Sequence, residues 1–198
     1  MSASMGDQPQ SVNVPTALRV LLIGLPGAGK STLSHTLQKR FGLPHFEIDE
    51  FRRQHADGTI AGDCFARAYF LRACGTQPRG IFEFSAVGVY RYDTANALRE
   101  YPAPLLTIWV DAPYALREER LARRGGRLPW PRYRLDVTQE EIEAKGHAVL
   151  QKDQECGFWT KGPGWQAHRL DTGRALNEAT GELLGLVEEF ISTDTPRT

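Results

Sequence analysis

Between residues 18 and 191 the chain alternates short apolar runs with longer segments whose hydrophobic residues recur every three or four positions. The first run, Leu18 to Ile23, is almost continuously apolar and stops at Gly24, as expected of a parallel strand covered on both faces. Over 30–41, Leu33, Leu37 and Phe41 repeat every four residues, and Gly42 with Pro44 follows, which predicts a helix. A short second strand over His45–Ile48 reaches Asp49. Residues 50–76 read as mainly helical, with a break at Asp57-Gly58. A third strand is predicted near 80–86, and a helical segment over about 91–100. Pro102 and Pro104 then introduce a fourth strand at about 105–111, followed by a helix from Tyr114 to Arg124. Residues 125 to about 137, rich in glycine, proline and arginine, read as a loop or lid, and Thr138 caps a further helix through Gln139, Glu140 and Glu141. A glycine-bearing irregular stretch follows Cys156, then a fifth strand ending at Asp171 and a last helix over about 176–191. Short strands alternating with helices predict an α/β domain with a mostly parallel sheet. One domain over 17–198 accounts for the pattern, preceded by a polar tail at 1–16.

The chain has 198 residues, 41% hydrophobic and 24% charged, which is ordinary for one globular domain. Lysine plus arginine equal aspartate plus glutamate at 24 each, so no overall field favours nucleic acid or an anionic membrane. No apolar run approaches the roughly 20 residues that cross a bilayer, and the N-terminus does not read as a secretory signal. Three cysteines without paired spacing read as reduced thiols in a cytoplasmic protein, with Cys64 and Cys74 as packing residues. The five histidines show no metal-ligand spacing and read as structural.

Directly after the first strand stands Gly24-Leu25-Pro26-Gly27-Ala28-Gly29-Lys30-Ser31, which fits G-x-x-x-x-G-K-S/T with a strand before it and a helix behind. Glycines let successive backbone N–H groups curl around a phosphate, and the helix start adds its positive dipole end. The Lys30 ammonium reaches the β- and γ-phosphates, and the Ser31 hydroxyl is placed to hold magnesium.

On this motif, on Asp49 in FEIDEFRR and on Arg120-Leu121-Ala122-Arg123-Arg124-Gly125-Gly126, the chain resembles the small-molecule and nucleotide kinase branch of P-loop proteins, such as adenylate, gluconate, shikimate and chloramphenicol kinases. The resemblance covers most of 18–191 in layout. It implies a three-layer P-loop NTPase fold with a five-stranded parallel sheet in the order 2-3-1-4-5, and a lid at about 125–137. It also implies ATP and Mg2+ as cofactors. The nucleotide set would be Gly24, Pro26, Gly27, Ala28, Gly29, Lys30, Ser31 and Thr32. Arg120 and Arg124, four apart on one helix face, match the relatives' arginines that contact adenine and clamp the transferring phosphate. Arg123 and Arg127 are alternatives, and surface ion pairing of Arg117, Glu118, Glu119, Arg120 and Arg123 is the competing reading. The loop Asp171-Thr172-Gly173 would pass beside adenine through its backbone.

On the acceptor side, Asp49 at the carboxyl end of the second strand is placed to take a hydroxyl proton, or simply to cap the next helix. Glu83, a charge inside an apolar strand, occupies a position where relatives carry aspartate. It is a candidate for magnesium or for the base, with a surface-facing strand residue as the alternative. Arg52, Arg53 and Arg91 complete the acceptor candidates. The predicted activity is transfer of the γ-phosphate to a small metabolite, nucleoside or antibiotic, by a monomer or homodimer. A P-loop NTPase or nucleotide switch is a second reading, although no N-K-x-D base-recognition motif is present. A kinase of polynucleotide ends is a third, from the interleaved Trp130, Arg132, Tyr133 and Arg134.

Overall fold

The computed structural model describes residues 15–88, 90–124 and 139–194. β1 (Leu18–Ile23) pairs in parallel with β3 (Arg79–Phe84) on one side and β4 (Leu105–Asp111) on the other. β2 (His45–Glu47) and β5 (Trp165–Asp171) form the edges, giving a five-stranded parallel sheet in the order β2-β3-β1-β4-β5. The order implied by the resemblance is the order found.

Strand alternation sends successive side chains to opposite faces. Leu18, Val20 and Leu22 join Ile81, Ile108 and Leu170 against α1 (Lys30–Phe41) and α7 (Leu176–Asp194). Leu21, Ile23, Phe82 and Trp109 face the other way, toward α3 (Ile60–Thr76), α4 (Tyr90–Glu100) and α6 (Gln139–Glu155). These two cores bury the central strands β1, β3 and β4 on both faces, which explains their near-continuous apolar sequences, while β5 stays largely exposed.

Arg19 is the exception inside β1. It is fully buried, and its guanidinium donates to the Leu98 carbonyl at 2.9 Å, the Tyr101 carbonyl at 3.1 Å and the Cys74 carbonyl. Cys74 and Leu98 lie in the last turns of α3 and α4, so one internal cation satisfies carbonyls at two helix C-termini and meets the negative ends of both dipoles.

The break predicted at Asp57-Gly58 separates α2 (Ile48–His55) from α3. Gly58 has φ +85°, and Thr59 caps α3 by accepting from the Gly62 N–H at 3.0 Å. Cys74 is buried, and burial pushes its thiol pKa up, whereas Cys64 is exposed on α3, so the packing role expected of both belongs to Cys74 alone. No described helix is long and apolar enough to cross a membrane. The tail at residues 1–14, the segment 125–138 with the predicted lid, and the patch Trp130, Arg132, Tyr133 and Arg134 lie outside the described residues.

Candidate active site

The turn between β1 and α1 carries three glycines with positive φ: Gly24 at +151°, Gly27 at +79° and Gly29 at +96°. Each adopts a conformation that is costly to any residue with a Cβ. Two also sit where no Cβ fits. A methyl at Gly24 would run into the Val110 carbonyl oxygen, and one at Gly27 would lie 2.7 Å from the Arg117 carbonyl oxygen. Close approach to β4 and to α5 (Tyr114–Arg123) therefore shapes the loop. Lys30 folds back over it, donating from Nζ to the carbonyls of Gly24 at 3.0 Å and Leu25 at 3.3 Å. Burial holds the Lys30 pKa below its ordinary value, against the charges of Glu83, Asp49 and Glu47.

Glu83 is 2% exposed, which excludes the surface-facing alternative. Its Oε1 accepts from the Ser31 hydroxyl at 2.8 Å. Its Oε2 accepts from the Ser34 hydroxyl at 2.8 Å and lies 2.9 Å from His45 Nε2. Burial alone would raise its pKa. The hydrogen bond from His45, the charge of Lys30 and the serine hydroxyls outweigh burial, leaving the carboxyl below the ordinary glutamate range. Both oxygens are thus engaged, Oε1 by Ser31 and Oε2 by Ser34 and His45.

Asp49 does not cap α2. The capping position is Glu47, without a side-chain cap bond, and Asp49 lies inside the first turn. Its Oδ1 accepts from Arg52 Nη1 at 2.8 Å, and Arg52 Nε donates to the buried Asp63 at 2.8 Å. Glu47, Asp49 and Arg52 border a cavity of about 120 Å3 with Lys30, Ser31 and Glu83. Burial, then the nearby charges of Glu83 and Asp49, raises the Glu47 pKa. A second cavity of about 90 Å3 opens beside it, sharing Ile48, Arg52, Phe84 and Ser85. Its walls are the rings of Phe70 and Phe84, with Arg67 and Arg91 also lining it. Arg91 is paired with Asp153 at 3.0 Å, and Arg67 lies over the Tyr90 ring. Arg53 turns outward instead, 53% exposed at its side chain and paired with Glu50.

On the other side of the loop, Arg120 donates to the Gly27 carbonyl at 3.3 Å, the Thr172 hydroxyl at 3.1 Å and the Thr172 carbonyl at 2.8 Å. The Thr172 hydroxyl in turn donates to the Ala28 carbonyl at 2.7 Å. The Thr172 side chain thus ties α5 to the glycine loop, a role the sequence reading did not give it. These residues border a cavity of about 310 Å3 with Gly29, Thr32 and Arg124. Arg124, at the exposed end of α5, borders both this cavity and the one at Lys30. Arg123 is a surface residue paired with Glu119. Arg117, read with it as a possible surface pair, is instead fully buried: it donates to the Ala112 carbonyl at 2.9 Å and pairs with Glu143.

Sequence reasoning missed Glu47, His45, Ser34, Arg67 and Arg117. The spacing Glu47-x-Asp49 at the end of β2 was the available signal for the first. Ser34 stands one turn beyond Ser31 on α1, and the other three are brought in by elements farther along the chain.

Magnesium fits this donor set. Among the described residues no three acidic, histidine or cysteine side chains could hold a metal alone, but Mg2+ takes few protein ligands beside substrate phosphates and water. The Ser31 hydroxyl spends its proton on Glu83, which leaves its lone pairs for a cation.

No protein-family model matches the chain. It is 47% identical over 45 residues to a shikimate kinase of Paracidovorax citrulli, covering 23% of this chain and 25% of that protein. It is 30% identical over 138 residues to a shikimate kinase of Rhodopseudomonas palustris, covering 64% of this chain and 66% of that one. The chain thus spans from a quarter to just under two thirds of the length of these relatives. A solved sugar kinase from a Janibacter species superposes with a TM-score of 0.59 at 19% identity, covering 91% of this chain and 99% of that one, a likeness of fold.

Proposed function

We propose that this chain is a P-loop small-molecule kinase that transfers the γ-phosphate of ATP, with Mg2+, to a hydroxyl of a small acidic metabolite. The observation that carries the reading is the seam at Arg52, which holds Asp49 and borders both the cavity at Lys30 and Ser31 and a second one lined by arginines and aromatic rings. Phosphate on one side and acceptor on the other would bring the attacking hydroxyl to Asp49.

In this reading the loop amides and Lys30 hold the β- and γ-phosphates, with Lys30 leaving the Gly24 and Leu25 carbonyls for them. Ser31, braced by Glu83, would hold Mg2+, which offsets phosphate charge when bound. Asp49 is the better base: it faces the cavity and is oriented by Arg52, whereas Glu83 already accepts from two serines and contacts His45. Arg124 reaches toward the phosphates. Arg120 and Thr172 fix the loop on the adenine side. Arg52, Arg67 and Arg91, with no carboxylate in that cavity's lining, favour an acceptor with an anionic group on a compact carbon skeleton. Shikimate, the substrate named by two relatives, has that chemistry.

The test is acceptor-dependent ADP release across shikimate, hexonic acids, neutral sugars and deoxynucleosides. A hydroxy acid should raise turnover far above the acceptor-free rate, and Lys30→Ala should abolish it. Asp49→Asn should lower kcat about 10²–10⁴-fold with nucleotide affinity kept. ADP release that ignores every acceptor would make the protein a nucleotide hydrolase.

A further inference from the structure

A separate cavity of about 200 Å3 lies under α6, and it shares no lining residue with the three described above. Its floor is Ile23, Thr107 and Trp109 on β1 and β4. Leu150 and Asp153 of α6 roof it, and Trp159, in a 3-10 turn (Phe158–Thr160), closes one end. Gln154, Thr160 and His168, all exposed, border its mouth. The volume exceeds the roughly 30 Å3 share of one water several times over.

Three buried polar atoms of residues lining this space have no hydrogen-bond partner among the described residues: the Thr107 hydroxyl, the Trp159 indole N–H and the Asp153 Oδ2, which has only its ion pair with Arg91. Thr107 is 1% exposed and Trp159 is 4% exposed. Buried polar atoms are nearly always satisfied, and Thr107 and Trp159 lack even the ion pair that Asp153 has, so these two orphans need an explanation. The indole offers a donor only, while the hydroxyl can donate or accept. The remaining walls are aromatic and aliphatic. The one carboxylate in the lining, Asp153, lies 3.0 Å from Arg91. An anion would face that carboxylate, and a cation would compete with Arg91.

We propose that this cavity is a second ligand site, which takes a small, neutral, planar molecule presenting a carbonyl or ring-nitrogen acceptor to Trp159 and a polar group to Thr107. The site stands whether or not the phosphotransfer reading holds. It adjoins the acceptor-side cavity across the Asp153–Arg91 pair and the edge contact of Trp159 with Phe84, with ring centroids 6.0 Å apart.

The experiment is a titration of the 15N-labelled full chain with nicotinamide and benzamide, following indole N–H cross-peaks, with Trp159→Phe identifying the Trp159 signal. Saturable movement of that signal is expected for both amides, but not for the anion nicotinate. Thr107→Val should weaken binding about tenfold, and Ala167→Phe at the exposed strand edge should abolish it. Thermal unfolding checks that both variants fold. Saturation by neither amide, equal binding of nicotinate, or unchanged binding in both folded variants would overturn the proposal. So would a long-lived water contact at the Trp159 N–H that persists at saturating amide, which would assign the space to buried solvent.

Discussion

Removing the Glu83 carboxylate tests how α1, which follows the glycine loop, is held to the sheet. Glu83 joins β3 to two residues of α1, Ser31 and Ser34, and to His45 of β2, through contacts of 2.8, 2.8 and 2.9 Å. Glu83→Ala leaves the Ser34 hydroxyl and the His45 ring without their buried partner, and takes a carboxylate from beside Lys30. Hydrogen bonds to a charged group each contribute about 1.5–3 kcal/mol, but a shared acceptor makes them non-additive. Breaking such a buried cluster from one side costs about 3–5 kcal/mol. Glu83→Gln keeps the shape but sets an amide N–H2 where one oxygen accepted, and should cost about 1–3 kcal/mol. Urea unfolding at pH 7 measures both losses as shifts in midpoint at constant slope. The pH dependence has a definite sign. The folded Glu83 pKa lies below its unfolded value, so its contribution is present above the ordinary glutamate range and is lost as pH falls through the folded value. Acid destabilisation should therefore be shallower in Glu83→Gln than in the parent. A Glu83→Ala chain within about 0.5 kcal/mol of the parent, the ordinary range of neutral surface changes, would refute the bracing role.

Three further outcomes follow from the same geometry. Gly24→Ala forces a methyl against the Val110 carbonyl at φ +151°; it should cost about 1–3 kcal/mol in unfolding experiments and weaken nucleotide binding measured by calorimetry. Arg117→Leu removes the internal cation paired with Glu143, and thermal unfolding should report about 3–5 kcal/mol of lost stability. Thr172→Val deletes the hydroxyl between Ala28 and Arg120, so steady-state kinetics should show a several-fold higher nucleotide KM with kcat nearly kept.

Strand and helix identities in this chain follow from local patterning. Apolar runs such as Leu18–Ile23 and the four-residue repeat of Leu33, Leu37 and Phe41 carry their element type within a few neighbours, and the phosphate-loop glycines carry backbone constraints that no other residue meets. The loop motif marked Lys30 and Ser31 and the resemblance marked Asp49 and Arg120, and the fold brings all four to cavities beside that loop. What local pattern does not encode is which distant segments share a face. Glu83 reads in sequence as a charge in a strand, and only the pairing of β3 beside β1, with α1 laid over that face, makes it the acceptor for Ser31 and Ser34. Arg117 and Arg123 stand on one helix with similar neighbours, yet the fold buries the first against Glu143 of α6 and leaves the second in solvent. Arg19 shows the same limit: a cation in an apolar strand is explained only by the carbonyls that α3 and α4 bring to it. Sequence thus determined the elements and the phosphate loop, because their physics acts over a few residues. Tertiary structure decided the partners of the buried charges and the makeup of the four cavities, because desolvation and pairing depend on contacts between residues far apart in the chain.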